Sequence, residues 1–200
     1  SPLETDYFQS EYGNAVYVPA FHSNENVQSK LGAGSYILYH GNLSVPENNR
    51  AALYLAQEVF PKTGMECIIA GSRPSKSLQK AISEYENIKL VADVEADHIL
   101  DLISNAQANV LVTFQSTGIK LKLLNSLYRG RFIIANKPMV EETGLESLCS
   151  IANSPTEMVK LIQELKTKNF SDADLNNRSE VLGNTFENNL NAEKLVQMLF

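Results

Sequence analysis

The sequence contains no tryptophan, only two cysteines and few basic residues. With 17 Lys and Arg against 23 Asp and Glu its net charge is −6, so it lacks the broad basic face that nucleic-acid binding requires. Its apolar runs are all shorter than the roughly 18 residues that cross a membrane, and its beginning is polar and acidic, unlike a signal peptide. The sequence therefore predicts a soluble globular protein with no transmembrane segment and no nucleic-acid partner.

The few cysteines and histidines also limit the chemistry of the chain. Cys67 and Cys149 lie in short apolar runs typical of buried strands, which favours free core thiols over a disulfide and predicts a reducing, cytoplasmic compartment. Neither His22 nor His40 has a Cys, Asp or Glu at a spacing typical of a metal site, so we expect both to be structural. The sequence predicts no metal and no cofactor.

Short apolar segments alternate with segments of helical periodicity. The predicted strands are residues 15–19, 36–40, 66–70, 89–92, 109–114, 131–135 and 147–151. The predicted helices are residues 5–12, 47–60, 75–86, 96–107, 119–128, 156–166, 172–186 and 192–200. Most of the strands are apolar throughout, as in parallel sheets covered on both faces. The alternation predicts a doubly wound, Rossmann-like α/β domain with C-terminal helices.

Both ends of the chain depart from this alternation. The last two predicted helices follow one another, with an asparagine-rich joint at residues 188–191, and the Gly-rich stretch "KLGAGS" precedes the first strand of the main sheet. We therefore predict two parts: residues 1–28, a segment that precedes the main domain, and residues 29–200, the Rossmann-like domain.

Ligands of doubly wound sheets bind beyond the carboxyl ends of the strands. In this sequence Gly41 and Asn42 follow one strand and Arg73 follows the next. Lys120 and Lys122 fall at the start of a predicted helix in "TGIKLKLLNSLYRG", where the helix dipole disfavours cations. A bound anion would reverse that penalty, so we predict a phosphate site there, completed by backbone N–H groups of Thr117 and Gly118.

Asn125 lies three residues after Lys122, so both side chains are expected on one face of the helix. A carboxamide can donate and accept hydrogen bonds, which suits the diol of a sugar attached to that phosphate.

Three stretches carry a resemblance to a known family: "YHGNLSVPENNRAALYLAQEVF", "CIIAGSRPSKSL" and "STGIKLKLLNSLYRGRFIIAN". Together they resemble the C-terminal, donor-binding half of GT-B glycosyltransferases of the large retaining, bacterial type (glycosyl transferases group 1). In that family the lysine-containing turn and an upstream arginine bind the donor diphosphate, and a glutamate within the helix binds ribose or sugar hydroxyls. By position these are Lys120, Lys122, Arg73 and Asn125.

The resemblance implies a metal-independent hexosyltransferase that uses a nucleoside-diphosphate sugar in the synthesis of surface or extracellular glycans. It also implies that residues 1–28 correspond to the end of an acceptor domain and the crossover. A glycan or lipid-linked acceptor would then be bound by an N-terminal domain missing from this chain, which alone would be an inactive fragment. Peripheral membrane association of a full-length protein is compatible with this interpretation.

The sequence departs from the family at several positions. Many relatives have two glutamates separated by seven residues, where this chain has Thr117 and Asn125, and Phe132 replaces a usual proline. An amide loses the charge-assisted hydrogen bonds that a carboxylate makes. The polar loop at residues 137–146 stands where the family closes over the donor, and Thr143 and Gly144 could present N–H groups to the ligand.

Three other classes of function are alternatives to this interpretation. A dinucleotide-binding site is disfavoured because "GAGS" precedes a strand and lacks the third glycine of the motif, and a phosphoacceptor receiver is disfavoured because "HGNL" has no acidic residue. A non-catalytic nucleotide-binding or scaffold module with a degenerate glycosyltransferase fold is the main alternative, since the two glutamates are absent.

Overall fold

The structure, a computed structural model, describes residues 2–115 and 121–199. Within these ranges six parallel strands form one sheet in the order β3-β2-β1-β4-β5-β6. The strands are β1 (Tyr36–His40), β2 (Glu66–Gly71), β3 (Ile88–Ala92), β4 (Ala108–Leu111), β5 (Phe132–Ala135) and β6 (Ser150–Ile151). This is the strand order of a doubly wound Rossmann-like fold, so the predicted fold class is confirmed.

The described helices surround this sheet and continue beyond it. They are α1 (Pro2–Tyr12), α2 (Pro46–Tyr54), α3 (Lys76–Ser83), α4 (Ala96–Asn105), α5 (Leu121–Arg129), α6 (Lys137–Val140), α7 (Pro155–Leu165), α8 (Asp172–Phe186) and α9 (Asn188–Leu199). Helix α2 runs on through a π-helical turn and a 3-10 turn to residue 62. Serine side chains cap α3 and α7, because Ser75 accepts the N–H of Leu78 and Ser154 accepts that of Glu157.

Successive residues of each strand face opposite sides of the sheet. Ile37 and Tyr39 of β1 belong to a core cluster with residues of α2, α3 and α7, whereas Leu38 packs with Ile103 of α4. A further cluster joins β4 and β5 to α5 and α8. Helices therefore cover both faces of the sheet, which explains why its strands are apolar throughout.

Three predictions about local structure are wrong. Residues 15–19 form no strand in the structure, since Val16 is exposed and Pro19 has no N–H to donate to a neighbouring strand. The asparagine-rich joint lies inside α9, because the Glu187 carboxylate accepts the N–H groups of Asn189 and Leu190 and so caps that helix. The loop at 137–146 begins with the short helix α6.

Cys67 and Cys149 are both free thiols, as predicted. Cys67 lies inside β2, whereas Cys149 is half-buried just before β6 rather than within a strand. Burial raises the pKa of each thiol to about 12. Neither cysteine is therefore a thiolate near neutral pH, and neither has the character of a reactive cysteine.

The Gly-rich stretch before β1 packs directly against the loop between α4 and β4. The N–H of Gly34 donates to the side chain of Gln107 at 2.5 Å, and Gln107 in turn donates to the carbonyl of Leu165 at 2.5 Å. A Cβ atom on Gly34 would run into backbone atoms of Gln107, Asn105 and Ala106. Only glycine fits this close approach of two chain segments.

His40 ends β1 and lies buried between the sheet and α5. Its Nε2 atom is 2.9 Å from Ser126 Oγ, and 5% of the residue is exposed. Burial, and then the nearby positive charge of Lys122, lower the pKa of His40 to about 3. The imidazole is therefore neutral in the folded protein throughout the physiological range.

The contact at Gly34 predicts opposite effects for two glycine substitutions. We expect Gly34→Ala to lower the free energy of unfolding by about 1–3 kcal/mol or more, since backbone atoms must move apart. The matched control is Gly183→Ala in α8, where a Cβ meets nothing within 4 Å. It should raise stability by about 0.5–1 kcal/mol, the helix preference of Ala over Gly. Urea unfolding followed by circular dichroism measures both, and equal effects would contradict the packing described.

The neutral His40 predicts a pH-dependent stability. Above about pH 6.5 the imidazole is uncharged in both the folded and the unfolded protein. Below that pH the unfolded chain binds a proton, whereas the folded protein does so only near pH 3. The wild type should therefore lose about 2 kcal/mol between pH 7 and pH 5 from this group alone. His40→Gln should lack that loss. His98→Gln, which changes an exposed histidine of α4, should keep it in urea titrations at each pH.

Candidate functional site

A cleft of about 400 Å³ opens at the carboxyl ends of β1 and β2. Here the strand order reverses, because the chain goes outward from β1 through β2 and β3 and then returns to place β4 on the other side of β1. One wall of the cleft is apolar and consists of Val94, Ala96, Ile99, Leu100 and Ile103. The other lining residues are Ser23, His40, Gly41, Asn42, Gly71, Ser72, Lys122 and Asn125. We call this space the sheet-edge cleft.

Two glycines bring the backbones of β1 and β2 together beside the cleft. The N–H of Gly41 donates to the carbonyl of Ala70 at 3.1 Å. Gly71 has a φ of 155°, and a Cβ atom there would collide with the carbonyl oxygen of Gly41. A side chain at position 71 would push these strand ends apart, so the shape of the cleft depends on glycine there.

Lys122 is the cation among the described lining residues. Its Nζ atom donates to Asn48 Oδ1 at 2.7 Å and lies 5.4 Å from the centre of the Tyr39 ring. Both contacts stabilise the lysine side chain near the beginning of α5. They hold the ammonium group at the edge of the sheet.

Asn48 is the residue that orders the loop on this side. Besides holding Lys122, its Nδ2 donates to the carbonyl of Asn42 at 3.0 Å, and its own carbonyl accepts from Tyr39 Oη at 3.0 Å. The side chain of Asn42 accepts from the hydroxyl of Ser44 at 2.7 Å and that of Ser72 at 3.1 Å. These bonds fix the loops that follow β1 and β2.

Glu47 connects the same loop to the end of β4. Its carboxylate accepts from Thr113 Oγ1 at 2.9 Å and from the N–H of Phe114 at 2.5 Å. Burial raises the pKa of this carboxyl, but the hydrogen bonds from Phe114 and Thr113, with the charges of Arg50 and Lys122, lower it by more. Glu47 therefore stays ionised and ties the β1 loop to the carboxyl end of β4.

On the far side of Lys122, Asn125 contacts the segment that precedes the sheet. Asn24 Nδ2 donates to Asn125 Oδ1 at 2.9 Å, and Arg129 Nε donates to Asn24 Oδ1 at 3.1 Å. Asn24 is only 5% exposed. The neighbouring His22 is held by the carbonyl of Phe186 at 2.9 Å. Residues from the predicted first part of the chain thus complete the wall of the cleft.

The structure brings together some of the predicted site residues. Gly41, Asn42, Lys122 and Asn125 all line the sheet-edge cleft. Thr117, Gly118 and Lys120 lie outside the described residues, so their predicted positions stay predictions. The sequence left Asn48 and Asn24 out of the predicted site. Asn48 has a recognisable signal, a polar residue in the first turn after a strand, but Asn24 lies 101 residues from its partner.

The remaining predicted site residues do not line this cleft. Arg73 is exposed in the loop after β2, with a φ of 53°, and its N–H donates to Asp93 Oδ1 at 2.7 Å. Thr143 is buried, and its hydroxyl donates to the carbonyl of Val140 at 2.6 Å. Gly144 follows it with a φ of 74°. Contact of these three residues with a ligand stays a prediction.

Among residues 2–115 and 121–199 no cluster of three His, Cys, Asp or Glu side chains is placed to hold a metal ion. No helix within the same ranges has both the length and the apolar character needed to span a bilayer.

Comparison with solved structures shows a common fold at low identity. AviGT4, a glycosyltransferase involved in avilamycin A biosynthesis, matches with a TM-score of 0.67 and 13% identity over 95% of this chain and 60% of that chain. A variant of S. aureus TarM in complex with fondaparinux, alpha-GlcNAc-glycerol and UDP matches with a TM-score of 0.74 and 13% identity, over 98% of this chain and 42% of that one. T4 phage BGT in complex with UDP-glucose gives a TM-score of 0.61 at 13% identity, over 98% and 58%.

The chain thus spans less than two thirds of the length of each of these three proteins. No curated protein matches the chain by sequence. The family model described as glycosyl transferases group 1 matches residues 34–168, which is more than half of the chain and includes every strand of the sheet. With the GT-B neighbours in agreement, this chain belongs to the glycosyl transferases group 1 family.

Proposed function

We propose that this chain is the nucleotide-sugar-binding part of a glycosyltransferase that moves a sugar from a nucleoside-diphosphate sugar to an acceptor. The observation that carries the proposal is the sheet-edge cleft, where Lys122 is held at the reversal of the strand order. No Asp or Glu is among the described residues that line it. A cleft with a cation and no acidic group suits an anionic ligand such as a diphosphate.

The two walls of the cleft suit different parts of a nucleotide sugar. The apolar wall, formed largely by Ile99, Leu100 and Ile103 of α4, suits a planar base that must leave water. Lys122 suits the diphosphate, and Asn125 on the same face of α5 suits ribose or sugar oxygens. The volume of about 400 Å³ is in the range of small-molecule sites.

Departure of the nucleoside diphosphate leaves negative charge on its terminal phosphate. In the proposed mechanism Lys122 stabilises that charge, with Arg73 and Lys120 as further predicted cations, so that no metal ion is needed. Each of these groups is more effective in a site from which water is excluded than in bulk solvent. This nucleotide-sugar-binding part would therefore contribute to catalysis by electrostatic stabilisation of the leaving group.

The rest of the proposal concerns the acceptor and the setting. The relatives are longer than the matched region, and we propose that a second domain binds a glycan or lipid-linked acceptor opposite the cleft. We propose a hexosyl donor, a bacterial source and a role in surface polysaccharide synthesis from the family resemblance alone, and a cytoplasmic location from the two free thiols. Contact with a membrane surface would then involve parts of the protein other than this domain.

A non-catalytic nucleotide-binding or scaffold module is the second candidate. The observation that favours it is the amide at Asn125, where relatives place a glutamate, together with a cleft wall free of acidic residues among the described positions. Such a module would lack charge-assisted bonds to sugar hydroxyls. A scaffold without a ligand would bind no nucleotide, whereas a degenerate binding module would bind nucleotide but transfer no sugar.

Nucleoside diphosphates should stabilise the domain without added metal. We expect UDP, GDP or ADP at millimolar concentration to raise the melting temperature in the presence of EDTA, because a ligand that binds only the folded state shifts the unfolding equilibrium. Differential scanning fluorimetry with an added dye measures this. No shift with any of the three would contradict the proposed function, and a shift that needs Mg²⁺ would contradict the metal-independent mechanism.

Lys122 should contribute to affinity much more than to stability. Lys122→Gln keeps a donor for Asn48 but removes the charge, so nucleoside diphosphate binding should weaken by about 10- to 100-fold in isothermal titration, the range for losing a charge-assisted hydrogen bond. The matched control is Lys137→Gln, which removes the same charge from an exposed lysine paired with Glu141 at 3.2 Å. Equal affinities for the two variants would show that Lys122 does not contact the diphosphate.

A further inference from the structure

Asn24, Asn125 and Arg129 form a chain of side-chain hydrogen bonds that ends at the sheet-edge cleft. Arg129 Nε is 3.1 Å from Asn24 Oδ1, and Asn24 Nδ2 is 2.9 Å from Asn125 Oδ1. Asn125 lines the cleft, and so does Ser23, the neighbour of Asn24. A buried residue outside the sheet therefore makes direct contact with a residue inside the cleft.

The chemistry of Arg129 fixes the direction of both hydrogen bonds. A guanidinium can only donate, so the atom of Asn24 that faces Arg129 must be its oxygen. The amide nitrogen of Asn24 then faces Asn125 and requires an acceptor there, which is Asn125 Oδ1. Rotating either amide by half a turn would place two donors, or two acceptors, against each other.

Burial makes the wrong orientation costly. Asn24 is 5% exposed, so an unpaired donor there could not turn to water. The segment around it is anchored on both sides, since His22 Nε2 lies 2.9 Å from the carbonyl of Phe186 and the hydroxyl of Ser29 donates to the carbonyl of Gly130 at 2.7 Å. Asn24 therefore holds a fixed position against α5.

These hydrogen bonds determine which end of the Asn125 amide faces the cleft. Its oxygen is used by Asn24, and among the described residues its Nδ2 group has no partner, so Asn125 offers the cleft N–H donors. Lys122, which lines the same cleft three residues earlier, is also a donor only.

We propose that Asn24 is a positioning residue that holds Asn125 as a hydrogen-bond donor to the nucleotide, so that the ligand atom at Asn125 is an accepting ribose oxygen. The inference rests on the proposed function, and it goes beyond it by assigning a direction to the hydrogen bond. A carboxylate at position 125 would accept a hydrogen bond from a sugar hydroxyl, whereas the amide of Asn125 donates one to an oxygen of the ligand. The segment before β1 thereby determines which hydrogen-bonding group the cleft presents, although of this segment only Ser23 is among the lining residues described.

The substitution Asn24→Asp tests this direction without changing a residue of the cleft. An aspartate at 24 still accepts from Arg129, and its second oxygen requires a donor from Asn125, which must then turn its own oxygen toward the cleft. We expect nucleoside diphosphate binding to weaken by about tenfold, similar to Asn125→Ala. The melting temperature of Asn24→Asp should stay within a few degrees of the wild type or rise, because Arg129 gains a charged partner.

The double variant separates this effect from a structural or purely electrostatic one. When Asn125 is already alanine, Asn24→Asp should change nucleotide affinity by less than about twofold, since there is no amide left to rotate. An added negative charge or a distorted segment would weaken binding in both backgrounds. Inorganic pyrophosphate, which contacts Lys122 but not Asn125 in the proposed complex, should bind the wild type and Asn24→Asp equally.

A measurement on the wild type keeps the inference testable if Asn24→Asp fails to fold. In ¹⁵N–¹H spectra the Asn125 side-chain NH₂ signals, assigned by their loss in Asn125→Ala, should shift with nucleoside diphosphate and not with pyrophosphate. Unshifted signals, unweakened binding by Asn24→Asp, or additive effects in the double variant each overturn the inference while the proposed function stands. If the wild type binds no nucleoside diphosphate, the proposed function fails and the inference fails with it.

Discussion

The reversal of strand order between β1 and β4 is the constraint on which the site depends. Helices α2 and α3 pack on one face of the sheet, and α4 and α5 on the other, so the chain leaves the neighbouring ends of β1 and β4 in opposite directions. Such a divergence leaves a crevice at the strand ends, and the sheet-edge cleft lies there. Glycines at 41 and 71 keep the adjoining strand ends close, and Glu47 spans from the β1 loop to the end of β4. The polar residues Asn42 and Ser72, which follow β1 and β2, are thereby brought to one cleft.

Helix α5 is held at its far end by the buried guanidinium of Arg178. That side chain of α8 donates to the carbonyls of Leu127, Gly130 and Arg131 and to the hydroxyl of Ser29. Burial lowers the pKa of Arg178 to about 10, yet it stays charged near neutral pH, and a cation suits the carboxyl end of a helix. Lys122 near the opposite end has the less favourable location. Since α5 is anchored by Arg178 and by its packed leucines, it tolerates a lysine that a ligand would stabilise.

Features of the fold and the site that depend on residues close in sequence could be predicted, whereas contacts between residues far apart in sequence could not. The apolar runs at 36–40 and 66–70 are local signals that predicted strands, and the helix starts predicted at 75 and 156 lie within one residue of α3 and α7. Arg73, Lys120 and Lys122 were predicted to gather at one edge of the sheet, because the carboxyl ends of parallel strands meet there. Lys122 lines the cleft and Arg73 does not, and Lys120 lies outside the described residues. The contact of Asn24 with Asn125 spans 101 residues and leaves no pattern in the sequence. Residues 15–19, which were wrongly predicted as a strand, have high β-propensity but pair with no strand in the described part of the chain. Propensity alone does not produce a strand without a neighbour to pair with.

The resemblance implies a glutamate at position 125, and the asparagine found there changes what the neighbouring residues do. A carboxylate accepts hydrogen bonds through either oxygen, so it could accept from Asn24 and from a ligand at the same time, whatever its rotation. An amide has one accepting and one donating end, and its neighbour decides which end the ligand meets. In the proposed complex Asn24 and Arg129 therefore matter for recognition because residue 125 is an amide. Under the proposal, an amide in place of the family's glutamate therefore changes more than the charge, since control of the hydrogen-bond direction would lie with a buried residue outside the sheet.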